Sequence, residues 1–223
     1  HRVDVAWMLV SGYRVFSMQG AFALLESGVV RKQHTTSVML KNLGDICFGT
    51  LAWWVLGYGL AFATADDADA VQGEFFPTKV SLFHIPDNEA FWFFQFSFAA
   101  TATTIVSGMI AERAVVRFYL FMVLIITGLV YPIGVYWCWG GGYLSKELEF
   151  VDFAGSGVVH ACGGFSGLAY IVVLGNRTGF RTYRAQMALS PQMELLRQEA
   201  KEKFPTANMN VARVHWLVRI LAK

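Results

Sequence analysis

The sequence predicts an all-α, polytopic membrane protein, and two observations carry this prediction. Of the 223 residues, 55% are hydrophobic and only 15% are charged, which leaves too little polar surface to solvate an ordinary soluble domain. The apolar residues also fall in stretches of about 20 residues or more, the length with which a helix crosses the hydrocarbon core of a bilayer. The predicted spans are residues 5–30, 36–63, 90–111, 115–139 and 154–175.

Basic residues beside the ends of these spans predict their orientation. Arg31 and Lys32 lie between the first two spans, Arg113 and Arg117 lie between the third and fourth, and Arg177 follows the fifth. The loops at the opposite ends are mainly acidic. Because basic residues collect on the cytoplasmic or matrix side of a membrane, we expect the N-terminus on the non-cytoplasmic, non-matrix side and the C-terminus opposite.

The charge and motif content disfavours several classes of function. A net charge of +2 without a basic stripe argues against a nucleic acid partner. The three cysteines, Cys47, Cys138 and Cys162, lie in apolar segments and form no CxxC pair. The sequence also contains no phosphate loop, zinc pattern, nucleophile elbow or haem-attachment motif. We therefore expect no cofactor, no bound metal and no enzymatic activity.

The chain divides into two regions of different composition. Residues 1–180 contain all five predicted spans, whereas residues 181–223 are predicted to form a helical, basic tail outside the membrane. Within this tail, residues 211–223 place apolar side chains at helical spacing on one face, as on a helix lying at a membrane surface or on a partner. A soluble tail without a binding role explains the same pattern equally well.

Two polar residues near the start of the fifth span are candidates for chemistry. An ionisable residue inside a span costs roughly 2.5–3.5 kcal/mol on insertion scales. The presence of His160 in the fifth span therefore indicates a structural or functional role for this side chain. Asp152 lies eight residues earlier, just over two helical turns, and the two side chains are predicted to share a face. The alternative is that His160 bonds a carbonyl group of a neighbouring helix. Gly163 and Gly167 form a small-xxx-small pair suited to helix contact.

Other residues in the spans favour packing or anchoring. The third span is rich in hydroxyl and small side chains, among them Thr101, so it is predicted to pack against protein. Trp139 ends the fourth span, where aromatic residues commonly anchor a helix at the membrane interface. Arg14 lies inside the first apolar run, so it needs either a contact with a foreign subunit or a path for its charge to the headgroups.

Several motifs occur along the chain in a characteristic order. They are Ala21-Phe-Ala-Leu-Leu-Glu-Ser-Gly28, Met39-Leu-Lys-Asn42-Leu, residues 95–113, Trp139-Gly-Gly-Gly142, and Asp152-Phe-Ala-Gly155 continuing to His160. In this order they resemble the ammonium transporter family, the Amt and Rh proteins, over about residues 5–180. The resemblance implies a fold of two inverted repeats with the pore between them, assembled as trimers, of which this sequence matches the first repeat.

The resemblance also implies roles for four residues. Trp139 matches the aromatic residue of the external ammonium site, where a cation–π contact favours the charged ion. Asp152 matches the acid that supports recruitment or deprotonation, Phe98 matches a gating phenylalanine, and His160 matches the first of two paired pore histidines. In such proteins the ammonium ion loses its water and its proton, and ammonia and proton cross the membrane.

The resemblance implies three further site residues: the second pore histidine, a second gating phenylalanine and a serine of the external ammonium site. These belong to helices of the second repeat, which this sequence does not match. Because inverted-repeat transporters place their site between the two halves, the sequence favours an accessory or structural subunit of a larger, energy-transducing membrane complex. We expect it in an organellar inner membrane, with other membrane protein subunits and lipid as partners. The alternative function is ammonium or ammonia transport, with the pore completed by a second-repeat partner or by further chain.

Overall fold

The computed structural model describes residues 2–177 and 179–180. The unit His1–Asn176 consists of helices and loops, and its described residues contain no β-strand. This confirms the all-α fold class that the sequence predicts. The predicted tail, residues 181–223, lies outside the described residues.

Eight α-helices make up the described part of the chain. They are α1 (Arg2–Val29), α2 (Thr35–Ala52), α3 (Tyr58–Phe62), α4 (Glu89–Met109), α5 (Val116–Ile125), α6 (Tyr131–Cys138), α7 (Tyr143–Lys146) and α8 (Cys162–Leu174). A short 3-10 turn, Lys32–His34, leads from α1 into α2.

Three π-helical segments adjoin these α-helices. Trp53–Gly57 joins α2 to α3, Ile126–Val130 joins α5 to α6, and Ser156–Ala161 leads into α8. Pro132, near the start of α6, has no N–H for the carbonyl one turn earlier, which favours the wider turn that precedes it. Single π-turns occur often at functional sites, and the last of the three carries His160.

Four helical stretches within the described residues are long and apolar enough to cross a membrane. They are Lys32–Phe62, Glu89–Met109, Val116–Lys146 and Ser156–Leu174, and they correspond to predicted spans two to five. Helix α1 has 28 residues, about 42 Å at roughly 1.5 Å per residue, but it is not one of the four. It carries Arg14, Gln19 and Glu26, which lower its mean hydropathy, so the count of five spans stays a prediction.

Helix α4 lies at the centre of the bundle and packs against α1, α2 and α8. Ala99, Ala100 and Ala102 of α4 are fully buried, because their small side chains allow close approach of the neighbouring helices. The hydroxyl groups of this helix are covered as well. Thr103 is fully buried and donates to the Ala99 carbonyl at 3.1 Å, so its polar group is satisfied inside the bundle.

The loop of residues 63–88 is tied to the end of α6. The backbone N–H of Gly73 donates to the Gly141 carbonyl at 2.8 Å, and the indole of Trp137 donates to the Phe75 carbonyl at the same distance. Tyr136 donates its hydroxyl proton to the carbonyl of Glu74 at 3.2 Å. These bonds hold the corner after α6, where the candidate functional residues begin.

Candidate functional site

The carboxylate of Asp152 caps the start of the last span. Its Oδ1 accepts backbone N–H bonds from Gly155 and Ser156 at 2.9 Å each, and its Oδ2 accepts from Gly157 at 2.9 Å and from Val158 at 2.7 Å. An ionised carboxylate offers about four acceptor positions, so backbone donors occupy them all. Asp152 therefore fixes the beginning of the helix and adds negative charge at its positive end.

The indole ring of Trp139 is held by the same corner. Its Nε1 donates to the backbone carbonyl of Asp152 at 2.8 Å. Its ring meets the ring of Phe98 edge-on, with the centroids 6.1 Å apart and the planes at 64°. Gly155 has a φ of +81°, and a Cβ there would lie 2.8 Å from Val159 Cγ2. Glycine at this position therefore allows both the left-handed turn and the close approach of the Val159 side chain.

The structure corrects the predicted relation between Asp152 and His160. Asp152 lies in a loop before the helix. His160 lies in the π-helical segment, where its backbone N–H donates to the Gly155 carbonyl at 3.0 Å. The α-helical spacing of eight residues therefore does not apply to this pair. His160 is exposed on the surface of the described bundle. The alternative given by the sequence was a hydrogen bond from the imidazole to a carbonyl group of a neighbouring helix. Among residues 2–177, the imidazole makes no such bond.

Gly163 and Gly167 lie where α8 crosses α4. A Cβ on Gly163 would lie 2.8 Å from the Ala102 carbonyl oxygen, and a Cβ on Gly167 would collide with Met109. Thr101 of α4 is 1% exposed, and its hydroxyl donates to the carbonyl group one turn earlier at 2.8 Å. These three residues therefore pack within the described bundle.

Arg14 lies on the outer side of α1. Its side chain is exposed, between the exposed residues Val10 and Ser17, and its backbone carbonyl accepts the Ser17 hydroxyl at 2.7 Å. A contact with a foreign subunit and a path to the headgroups both stay predictions for this residue. In the part of the chain that the structure describes, no group of three or more His, Cys, Asp and Glu side chains could hold a metal ion.

The sequence interpretation missed a buried polar cluster between α1, α2, α4 and α5. Glu26 Oε2 accepts from Asn42 Nδ2 at 3.0 Å and from the Ser107 hydroxyl at 2.9 Å. About two turns earlier in α1, Gln19 Oε1 accepts the hydroxyl proton of Thr104, a residue of α4, at 2.9 Å. The signal in the sequence was the presence of ionisable residues inside predicted spans.

The same cluster continues toward α5. The Tyr119 hydroxyl donates to Asp45 Oδ1 at 2.5 Å, and both residues are fully buried. Lys41 Nζ donates to the Ala114 carbonyl at 2.8 Å and lies 5.5 Å from the centroid of the Tyr119 ring. Together with Glu26, these residues link α1 to α2 and α2 to α5 at the end of the bundle opposite the Trp139 corner.

Comparison with known proteins identifies the family. The model of the Ammonium Transporter Family matches residues 6–196, and the chain belongs to this family. The match continues beyond residue 180, where the sequence interpretation placed the end of the resemblance. The sequence motifs and the corner around Trp139 therefore belong to a member of the ammonium transporter family.

Individual relatives show what share of such a protein's length this chain matches. Ammonium transporter Amt2 of Archaeoglobus fulgidus is 42% identical over 187 residues, which cover 79% of this chain and 39% of that protein. Putative ammonium transporter sll1017 of Synechocystis is 41% identical, with coverage of 80% and 41%. The chain thus spans about 40% of the length of these curated relatives.

Solved structures give the same result for the fold. A protein described as a Sensor Amt Protein superposes with a TM-score of 0.70 at 32% identity, covering 79% of this chain and 45% of that one. Mep2 of Candida albicans superposes with a TM-score of 0.64 at 34% identity, covering 79% of this chain and 40% of the other. The helices described above therefore adopt the arrangement of part of an Amt or Mep protein.

Proposed function

We propose that this chain forms one side of an ammonium path across a membrane, and that a second protein surface forms the other side. The observation that carries the proposal is the joined arrangement of Trp139, Asp152 and Phe98, held by the 2.8 Å bond and the edge-on ring contact. The membership of the chain in the ammonium transporter family supports the same function.

Each residue of this arrangement has a distinct part in the proposal. The face of the Trp139 ring attracts an ammonium ion, an interaction of about 0.5–2 kcal/mol depending on how far the ion is desolvated. Asp152 fixes the orientation of that ring through its backbone carbonyl and fixes the start of the last span through its carboxylate. Phe98, whose ring contacts the Trp139 ring, closes the entrance. His160 lines the path further along, in the π-helical segment that leads into α8.

The need for a second surface follows from what the described bundle leaves exposed. His160 is exposed, as are Phe165 at 72% and Val172 at 74%. A lone imidazole facing hydrocarbon lacks partners for its polar atoms, which is costly in lipid. A protein surface over this face, either further chain of the same protein or another subunit, would cover the imidazole and enclose the path.

Uptake of labelled methylammonium into liposomes tests the proposal. The protein is reconstituted with every subunit that copurifies, and uptake is driven by an inward gradient. We expect uptake that His160→Ala removes and that Gly134→Ala retains, because a Cβ on Gly134 meets nothing within 4 Å. Uptake no faster than in protein-free liposomes, or full uptake by His160→Ala, would contradict the proposal.

A second candidate function is that of an accessory subunit in a larger membrane complex of an organellar inner membrane. The observation that favours it is Arg14, a charged and exposed residue within the apolar part of α1, which an acidic partner subunit would neutralise. Native-gel separation after gentle detergent extraction, with mass spectrometry of comigrating chains, tests this role. Comigration with an unrelated energy-transducing complex, together with absent uptake, supports it, whereas a homotrimer with uptake opposes it.

A further inference from the structure

The buried cluster contains more negative than positive groups. Glu26 is 6% exposed, Lys41 is 3% exposed and Asp45 is fully buried. If all three were ionised, the cluster would carry a net charge of −1 inside the helix bundle. Burying an uncompensated charge costs far more than burying a paired one. The cluster therefore needs another positive charge, and a proton is the smallest that fits.

The charge of Lys41 is already accounted for in this count. Its Nζ donates to the Ala114 carbonyl at 2.8 Å and lies 5.5 Å from the centroid of the Tyr119 ring, within the range of a cation–π contact of about 6 Å. Both contacts stabilise the ammonium form. Lys41 therefore compensates one of the two carboxylates and leaves the other.

Arg31, the basic residue that follows α1, is already engaged with an acid. Arg31 pairs with Glu112, with Arg31 Nε and Glu112 Oε1 3.3 Å apart, and the backbone N–H of Arg31 donates to the same oxygen at 2.7 Å. This pair is neutral as a whole. Within residues 2–177, the side chains that act on the two carboxylates are the basic Lys41 and the neutral Asn42, Ser107 and Tyr119.

The hydrogen bonds around the carboxylates leave positions open for a proton. Glu26 receives two donors, both on Oε2, and Asp45 receives one donor, the Tyr119 hydroxyl on Oδ1. Glu26 Oε1 and Asp45 Oδ2 are buried and have no hydrogen-bond partner in the described part of the chain. An ionised carboxylate normally fills several acceptor positions when buried, so neither group is satisfied as a full anion.

We propose that the Glu26–Asp45 pair binds one proton in the folded protein at neutral pH, and that the cluster is a resident proton-binding site between α1, α2, α4 and α5. The proton belongs to the pair, as expected for two interacting acids. This site is separate from the proposed ammonium path, because none of its side chains belongs to the arrangement around Trp139.

Infrared spectroscopy of the purified protein tests this inference directly. The carbonyl stretch of a protonated carboxyl group is distinct from the stretches of an ionised one, and it shifts in heavy water. We expect such a band in the wild type at neutral pH, loss of the band in the Glu26→Gln, Asp45→Asn double variant, and its retention in Asp87→Asn, a change in the exposed loop. Absence of the band in the wild type, or an unchanged band in the double variant, overturns the inference.

The pH dependence of stability gives a second readout that does not require the double variant to fold well. With a bound proton, the folded state holds more protons than the unfolded chain, so the free energy of unfolding falls as the pH rises. The single variant at the carboxyl that holds the proton removes this decline, because an amide cannot release a proton. The wild-type decline with pH persisting unchanged in both Glu26→Gln and Asp45→Asn would contradict the site.

Discussion

The indole nitrogen of Trp139 donates a 2.8 Å hydrogen bond to the backbone carbonyl of Asp152, and this bond joins the end of one span to the start of the next. The carboxylate of the same aspartate accepts four backbone N–H groups at the beginning of the last span. One residue therefore sets both the plane of the aromatic ring and the direction in which the following helix leaves the corner.

Asp152→Asn is expected to destabilise the protein by about 1–3 kcal/mol, the usual cost of leaving buried donors without an acceptor. An asparagine keeps one acceptor oxygen but turns its NH2 group toward backbone N–H groups, so two of the four bonds are lost. Thermal unfolding in detergent measures the effect. Asp87→Asn, in the exposed loop, is the matched control, and an equal unfolding temperature for the two variants would show that the cap is dispensable.

Trp139→Leu is expected to weaken ammonium-dependent uptake about tenfold in apparent affinity, since a cation–π contact of roughly 1.4 kcal/mol corresponds to that factor. Trp139→Phe keeps an aromatic face but loses the bond to the Asp152 carbonyl, so we expect a smaller loss. Methylammonium uptake as a function of concentration separates the two. Equal loss in both variants would mean that the hydrogen bond, rather than the ring, carries the effect.

The sequence predicts the all-α class and the positions of spans two to five because long apolar stretches leave few alternatives. It places Asp152 and His160 on one helical face, and the structure does not, since a capping loop and a π-turn separate them. A π-turn depends on how neighbouring helices pack and leaves little trace in hydrophobic periodicity.

The buried cluster escaped the sequence interpretation for a related reason. Lys41 and Asp45 are one helical turn apart in the second predicted span. Glu26 lies in the first predicted span and Tyr119 lies in the fourth. Only the packing of α1 and α5 against α2 brings these four residues together. Charges considered one at a time give no indication of such a group.

Gly163→Ala is expected to destabilise the bundle by about 1–3 kcal/mol, the range found for overpacked cores. The added Cβ would lie 2.8 Å from the Ala102 carbonyl oxygen, and a backbone atom cannot move aside as a flexible side chain can. Gly164→Ala is the matched control in the next position of the same helix, where the Cβ meets nothing within 4 Å.

For the control we expect unchanged stability or a gain of up to about 1 kcal/mol, because alanine is the better helix former. Thermal unfolding of the two variants beside the wild type makes the comparison. A Gly163→Ala variant as stable as Gly164→Ala would show that α8 moves away from α4 at little cost, which would oppose a close contact at this position.

The loop before α4 offers a test that depends on pH. Lys79 donates a hydrogen bond to Asp67, and this bond lowers the pKa of the Asp67 carboxyl group below its ordinary value. A lowered pKa in the folded state favours the ionised form, so any stabilisation from this pair is present at neutral pH and is lost as the pH falls through the folded-state pKa.

Lys79→Met is expected to return the pKa of Asp67 toward its ordinary value. High salt is expected to do so in part, because the pair is exposed and screened by ions. Side-chain carboxyl titration followed by NMR measures both effects, and Lys146→Met, which removes a lysine from another loop, is the control. An Asp67 pKa that Lys79→Met leaves unchanged would assign the shift to the remaining bond, from the Asp69 backbone N–H at 3.0 Å.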